Sequence, residues 1–194
     1  MKNNEKWLLV AVMFVGLIIG ATLLYNNLSK QYTPQNLIQN EQSNDKETNV
    51  GNTSSYAARD FTVTDWEGNK VNLSDFFGKP IVLNFWATWC YYCVEEMPDF
   101  NKAYAEYPDV QFLMINATDG IQETLEKAKQ YVENENFDFN VYFDTELDAV
   151  STYGVTGFPC TYFIDSEGNL VTRGKGLLDY ETIVKGISMI TNKK

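Results

Sequence analysis

Cys90 and Cys93, separated by Tyr91 and Tyr92, are the side chains best equipped for chemistry in this chain of 194 residues. They follow an apolar run, Ile81–Trp86, and precede a helix-like segment. Cysteines at this spacing on a strand-to-helix junction lie on one face of the first helical turn. Their sulfurs can close a small disulfide ring and reopen it. Cys90 stands at the helix start, where unpaired backbone N–H groups and the helix dipole favour a thiolate. That is the chemistry of dithiol–disulfide exchange. Two other uses of such a pair exist. Half of a zinc site needs four ligands in all, and this chain has no His and one further cysteine, Cys160. An inert structural disulfide is the other, although so short a loop constrains the unfolded chain little.

The surrounding pattern supplies the elements that must hold the pair. Phe61–Thr64, a turn at Asp65–Asn69 and Lys70–Leu73 predict a hairpin. Buried strands are expected at Pro80–Trp86 and Val110–Asn116, and a short one at Val141–Phe143. Helices are expected at Tyr91–Tyr107, with a kink at Pro98, at Ile121–Asn136 and at Thr145–Tyr153. Cys160–Ile164 and Asn169–Gly174 flank a turn, and Tyr180–Ile190 reads as a closing helix. Strands alternating with helices, then a hairpin, imply an α/β sandwich around a mixed sheet. Gly157-Phe158-Pro159 suits a tight bend, and base rates alone favour an ordinary trans proline there.

Trp7–Tyr25 is nineteen residues without a charge, close to the ~20 needed to cross a bilayer as helix. Lys2 and Lys6 precede it, which keeps residues 1–6 cytoplasmic. No small-x-small pair closes the run and no lipobox cysteine is present. Residues 7–25 are therefore expected to be an uncleaved single-pass signal anchor, rather than a cleaved signal peptide or a core helix. Residues 26–56 are polar and nearly free of aromatics, a composition that cannot bury a core and reads as a flexible linker. The folded domain then occupies 57–194, outside the cytoplasm, where disulfides persist. The net charge is −11, and removing Lys2, Lys6 and Glu5 leaves 13 basic against 25 acidic residues, −12. Nucleic-acid binding, which selects for clustered Lys and Arg, is not expected.

Gly78–Pro98, with Asn84-Phe85-Trp86-Ala87-Thr88-Trp89-Cys90-Tyr91-Tyr92-Cys93 at its centre, resembles the active-site segment of the TlpA/ResA branch of the thioredoxin superfamily. Tyr153–Asp165, with Gly154-Val155-Thr156-Gly157-Phe158-Pro159-Cys160, is similar to that branch's second signature. The resemblance implies a thioredoxin-like α/β fold: a central mixed β-sheet flanked by helices, with an N-terminal β-hairpin and a helical insertion. It implies an extracytoplasmic, membrane-tethered thiol–disulfide oxidoreductase, with no cofactor and no metal. Cys90 would be the attacking thiol and Cys93 the resolving one, and Pro159 would be the cis-proline facing the disulfide. Thioredoxins proper look to carry a buried carboxylate where this chain has Asn84, so the proton acceptor for Cys93 must come from elsewhere. In the ResA-like pattern a glutamate at the position of Glu96 belongs to the active site. The other reading of Glu96 is a solvated first-turn glutamate suited to the helix dipole.

Three departures from the pattern matter. Phe158 stands where the branch usually has a small or polar residue, often Thr, and Tyr91-Tyr92 where a Pro often precedes the second cysteine. With Trp89 these aromatics are expected to form a substrate-binding patch for a polypeptide, or else to cap the disulfide. Cys160 follows Pro159. It is expected to be a structural thiol, the alternative being a third redox partner.

The leading function is reduction of disulfides in extracytoplasmic client proteins. The resemblance suggests apocytochrome c during its maturation, or an oxidised partner such as a methionine sulfoxide reductase. Electrons would come from a membrane donor of the thiol-transporter type. The motif holds no Lys, Arg or His to stabilise a thiolate, and Glu95 and Glu96 oppose one, which favours a reductant. A redoxin-type thiol peroxidase is an alternative, but its Pro-x-x-x-Thr-x-x-Cys spacing is absent. A non-catalytic adaptor using the Tyr-rich surface is a third.

Overall fold

The computed structural model describes residues 13–14, 16–18, 37–39 and 56–191. Strands β1 (Leu37–Gln39), β2 (Tyr56–Ala57), β3 (Thr62–Thr64) and β4 (Lys70–Asn72) precede a 3-10 turn at Leu73–Phe76. Then come β5 (Ile81–Trp86), α1 (Tyr91–Glu106), β6 (Gln111–Asn116), α2 (Leu125–Glu135) and β7 (Val141–Phe143). α3 (Asp148–Tyr153), β8 (Cys160–Ile164), β9 (Asn169–Lys175) and α4 (Tyr180–Thr191) complete the order.

β5 carries the reason for the architecture. All six of its residues are buried, as a central strand covered on both faces requires. It pairs in parallel with β6 and antiparallel with β8. Among the described residues the sheet runs β1-β9-β8-β5-β6-β7-β3-β4, with β2 also on β9. Strand alternation then sorts the core into two layers. Val82 and Trp86, with Phe163 of β8, face α1, α2 and α4. Ile81, Leu83 and Phe85, with Cys160, Tyr162 and Ile164, face Leu73, the β3 region and α3. Each large side chain fully removed from water contributes about 1.5–3 kcal/mol. α4 lies so close on β8 that a Cβ at Gly186 would meet the Phe163 ring at 2.3 Å.

The expected mixed sheet, flanking helices and β3–β4 hairpin are present, with β7 and β8 at the expected bounds. Three local readings need correction. The helix expected from Ile121 starts at Leu125, because Thr124 caps it through Lys127 N–H and Asp119 Oδ1 accepts from the N–H groups of Ile121, Gln122 and Glu123. These bonds make 119–123 a side-chain-capped loop. The helix expected from Thr145 starts at Asp148, after Leu147 at φ 54°. The polar stretch 26–56 contains strand β1, whose register sets Ile38 opposite Arg173. Leu37 and Ile38 are an apolar pair in that stretch, and β9 offers them an edge to pair with. α1 continues through Pro98, which removes one backbone donor without ending the helix.

Of the anchor expected at 7–25, residues 13–14 and 16–18 are described, as helix, and the rest lies outside the described residues. Among the described residues no helix is long and apolar enough to cross a membrane. The segment 1–6 and most of 26–56 also lie outside the described residues.

Candidate active site

The turn from β5 into α1 carries the cysteine pair. Cys90 is the N-cap of α1, in extended conformation, and its sulfur accepts the Cys93 N–H at 3.2 Å. One of the helix's orphan donors is thereby satisfied by the group that would carry a thiolate. Cys90 and Cys93 are joined in a disulfide, their Cα atoms 5.2 Å apart. Cys90 is 7% exposed and Cys93 is fully buried. An approaching partner therefore meets the Cys90 sulfur first.

The aromatic residues frame that sulfur. Trp89, Tyr91 and Tyr92 are 48%, 69% and 59% exposed. Trp89 packs edge-to-face on Phe158, ring centres 5.8 Å apart, and Tyr91 packs likewise on Tyr92. The Phe158–Pro159 peptide bond is cis, and Pro159 is buried at the start of β8. The Trp89–Phe158 contact brings this loop beside the disulfide turn.

Glu96 lies one turn beyond Cys93 on the buried face of α1 and is 1% exposed, so the solvated reading does not hold. Its Oε1 accepts from Asn84 Nδ2 at 2.8 Å and its Oε2 from the Leu178 N–H at 2.9 Å. Asn84 Nδ2 also donates to Thr161 Oγ1. Burial outweighs these hydrogen bonds and pushes the Glu96 carboxyl up to about 8. Asn84, on the central strand, thus holds the very carboxyl that this chain carries on α1 instead.

A second buried glutamate was missed by sequence reasoning. Glu123, fully buried, accepts from Thr88 N–H (2.9 Å), Thr88 Oγ1 (2.6 Å) and Asn116 Nδ2 (2.6 Å). Thr118 Oγ1 in turn donates to Asn116 Oδ1 at 2.7 Å. Within an expected amphipathic helix Glu123 reads as a solvated residue. The available signal was Asn116, a polar side chain ending an apolar strand.

Cys160 is free and 3% exposed, and burial pushes its thiol up. It belongs to the layer opposite α1, whereas its neighbour Thr161 bonds Asn84 on the α1 side. A cavity of about 240 Å³ lies on its side of the sheet, lined by Cys160, Tyr162, Arg173 and Lys175 together with the 154–159 loop and Gly176. The structure brings Trp89, Cys90, Cys93 and Phe158 into one neighbourhood and sets Cys160 on the other face.

The AhpC/TSA family matches residues 55–173. A thiol-disulfide oxidoreductase ResA of Bacillus thuringiensis is 36% identical over 69% of this chain and 76% of its own length. A putative thiol:disulfide interchange protein DsbE from Chlorobium tepidum superposes with a TM-score of 0.61 at 27% identity, covering 68% of this chain and 92% of its own. The exposed lipoprotein thioredoxin of Streptococcus pneumoniae gives 0.60 at 28% identity, over 67% and 98% of the two chains.

Proposed function

Because the chain belongs to the AhpC/TSA family and is a thiol–disulfide oxidoreductase of the ResA type, we propose that it reduces disulfides in extracytoplasmic client proteins through a Cys90–Cys93 cycle. The observation that carries this reading is the asymmetry of the pair. Cys90 caps the helix at the surface, and Cys93 is sealed one turn inside.

In the reduced enzyme the Cys90 thiolate attacks a client disulfide. One client sulfur leaves as a thiolate and takes up a proton, and a mixed disulfide remains on Cys90. Cys93 then loses its proton and attacks the Cys90 sulfur, releasing the second client thiolate. The client gains two electrons, and the enzyme is left with the Cys90–Cys93 disulfide. We assign the Cys93 proton to Glu96, whose carboxyl near 8 lets it accept a proton at mildly alkaline pH. At neutral pH the same shift leaves Glu96 mostly uncharged, so it opposes a thiolate less than an ordinary glutamate would. Pro159 and Phe158 present the β8 entry to the client, and Trp89, Tyr91 and Tyr92 give it an apolar surface.

The rest of the proposal rests on composition and resemblance. Residues 7–25 tether the domain to the membrane, and the part of the polar stretch 26–56 that precedes β1 lets it range over nearby clients. Reducing equivalents come from a thiol transporter in the membrane, and the clients are apocytochrome c or an oxidised redox partner. An intramolecular partner for Cys90 at this spacing favours exchange over peroxide reduction.

The test is insulin reduction by the dithiothreitol-fed domain, with the potential of the pair measured against glutathione. Accelerated precipitation and a potential below about −220 mV are expected. A potential near that of a strong oxidant, about −120 mV, would overturn the reductant reading. Peroxide consumption without insulin reduction would favour a thiol peroxidase, and neither activity would favour an adaptor.

A further inference from the structure

The turn that delivers Cys90 is tied down at several points. The Ala117 N–H donates to Trp86 O at 2.9 Å and the Cys90 N–H to Ala87 O at 3.2 Å. Between them stands Thr88, whose N–H and hydroxyl both donate to the Glu123 carboxyl. That carboxyl is fully buried and is held in addition by Asn116 at the end of β6. A buried carboxyl with such partners loses little by desolvation only while they stay in place. Its own loop is braced as well. Asp119 Oδ1 gathers three N–H groups, that of Glu123 included, and the Gly120 N–H donates to Glu123 O at 2.9 Å.

We propose that Glu123 is a positioning residue for the exchange reaction: it latches Thr88, and through it the turn that seats the Cys90 sulfur at the start of α1. The 119–123 loop is thereby a part of the active site that never touches the reacting sulfurs. Thr88 lies two residues before Cys90 and one before Trp89. Releasing it frees both the helix N-cap and the aromatic wall that packs on Phe158. The inference rests on the Cys90-first exchange proposed above.

The experiment compares Glu123→Ala and Glu123→Gln with the full-length chain. The measurements are kcat/KM on insulin and on a small aromatic disulfide, the pH midpoint of Cys90 alkylation by iodoacetamide in the reduced protein, and the thermal midpoint. Glu123→Ala should lower kcat/KM on both substrates by about tenfold. It should also move the alkylation midpoint upward, as the sulfur loses its seat against the Cys93 N–H. Glu123→Gln keeps an oxygen for the Thr88 N–H and should recover most of both. A merely structural role would lower the thermal midpoint and leave the alkylation midpoint in place. A folded Glu123→Ala with wild-type kcat/KM and wild-type alkylation midpoint would overturn the proposal. If Glu123→Ala does not fold, Thr88→Val removes the hydroxyl bond alone. A loss of about threefold on both substrates is then expected, and unchanged activity would refute the latch. If the wild type reduced neither disulfide, the exchange reading would fail, and the alkylation midpoints would still decide the positioning role.

Discussion

The two faces of the central sheet treat cysteine in opposite ways. On the α1 side, Cys90 and Cys93 sit where a strand ends and a helix begins, and they are bridged. On the other side Cys160 lies inside β8, free, buried and raised by that burial. All three belong to one small domain and meet the same redox surroundings. What separates them is local: a helix N-terminus that stabilises a thiolate, against an apolar layer that disfavours one. The loop before β8 marks the boundary, since Phe158 packs on Trp89 of the cysteine turn while Cys160, two residues on, turns to the far layer.

The strongest way to break this comparison is to remove the active cysteines one at a time. Cys90→Ser should abolish insulin reduction and trap no client. Cys93→Ser should accumulate mixed disulfides with client proteins, because the resolving attack is lost. Trapping to the same extent by both variants, scored by non-reducing gels, would show that the exposed-and-shielded asymmetry does not set their roles.

Glu96→Gln tests the α1 side at its buried carboxyl. The rate of the resolving step should rise with pH through about 8 in the wild type. The variant should lose that rise and run about tenfold slower or worse at alkaline pH. An unchanged pH profile would remove Glu96 from the chemistry. Stability gives a second readout. The folded protein holds the Glu96 proton more tightly than the unfolded chain, so the Glu96 contribution to stability is full below the ordinary value of 4.5 and is lost as pH rises to about 8. The slope approaches about 1.4 kcal/mol per pH unit within that range. Glu96→Gln should flatten it, as followed by chemical denaturation from pH 5 to 8.

The aromatic frame should matter less and more selectively. Phe158→Thr removes the ring that Trp89 packs on. It should raise KM for a polypeptide disulfide by about fivefold, the effect of roughly 1 kcal/mol of contact. The rate with a small disulfide should stay the same. Equal loss with both substrates would mean that Phe158 shapes the disulfide rather than the client surface.

Much of the α1 side was legible in the sequence, because its signals are local. The apolar run Ile81–Trp86 reads directly as a buried strand, and Cys90 and Cys93 mark the helix start. The cis geometry at Pro159 came through family resemblance, as base rates alone pointed the other way. What stayed hidden depends on distant partners. Glu96 is held by a backbone N–H 82 residues away and Glu123 by a threonine 35 residues away. A helical period shows which face a glutamate shares, but not that a loop from elsewhere closes over it. Glu123 therefore reads as solvated until the fold covers it, whereas Glu96 is placed in the site by the family resemblance and not by its helical period.

The smallest expected effect sits on the far face. Cys160 packs among Leu83, Phe85 and Tyr162, and strand alternation, which sends Thr161 to Asn84, sends Cys160 away from the pair. Its raised thiol leaves little thiolate at neutral pH, and thiolate is the form that attacks a disulfide or is oxidised. Cys160→Ala should leave insulin reduction near wild type and cost about 1 kcal/mol through the small void left behind. Mass spectrometry of the air-oxidised protein should find Cys160 reduced while Cys90 and Cys93 are bridged. Iodoacetamide should label it far more slowly than Cys90 once the pair is reduced. A Cys160 disulfide with either active cysteine would require β8 to turn its first residue through the sheet. That single observation would erase the distinction between the faces and make the three sulfurs one relay.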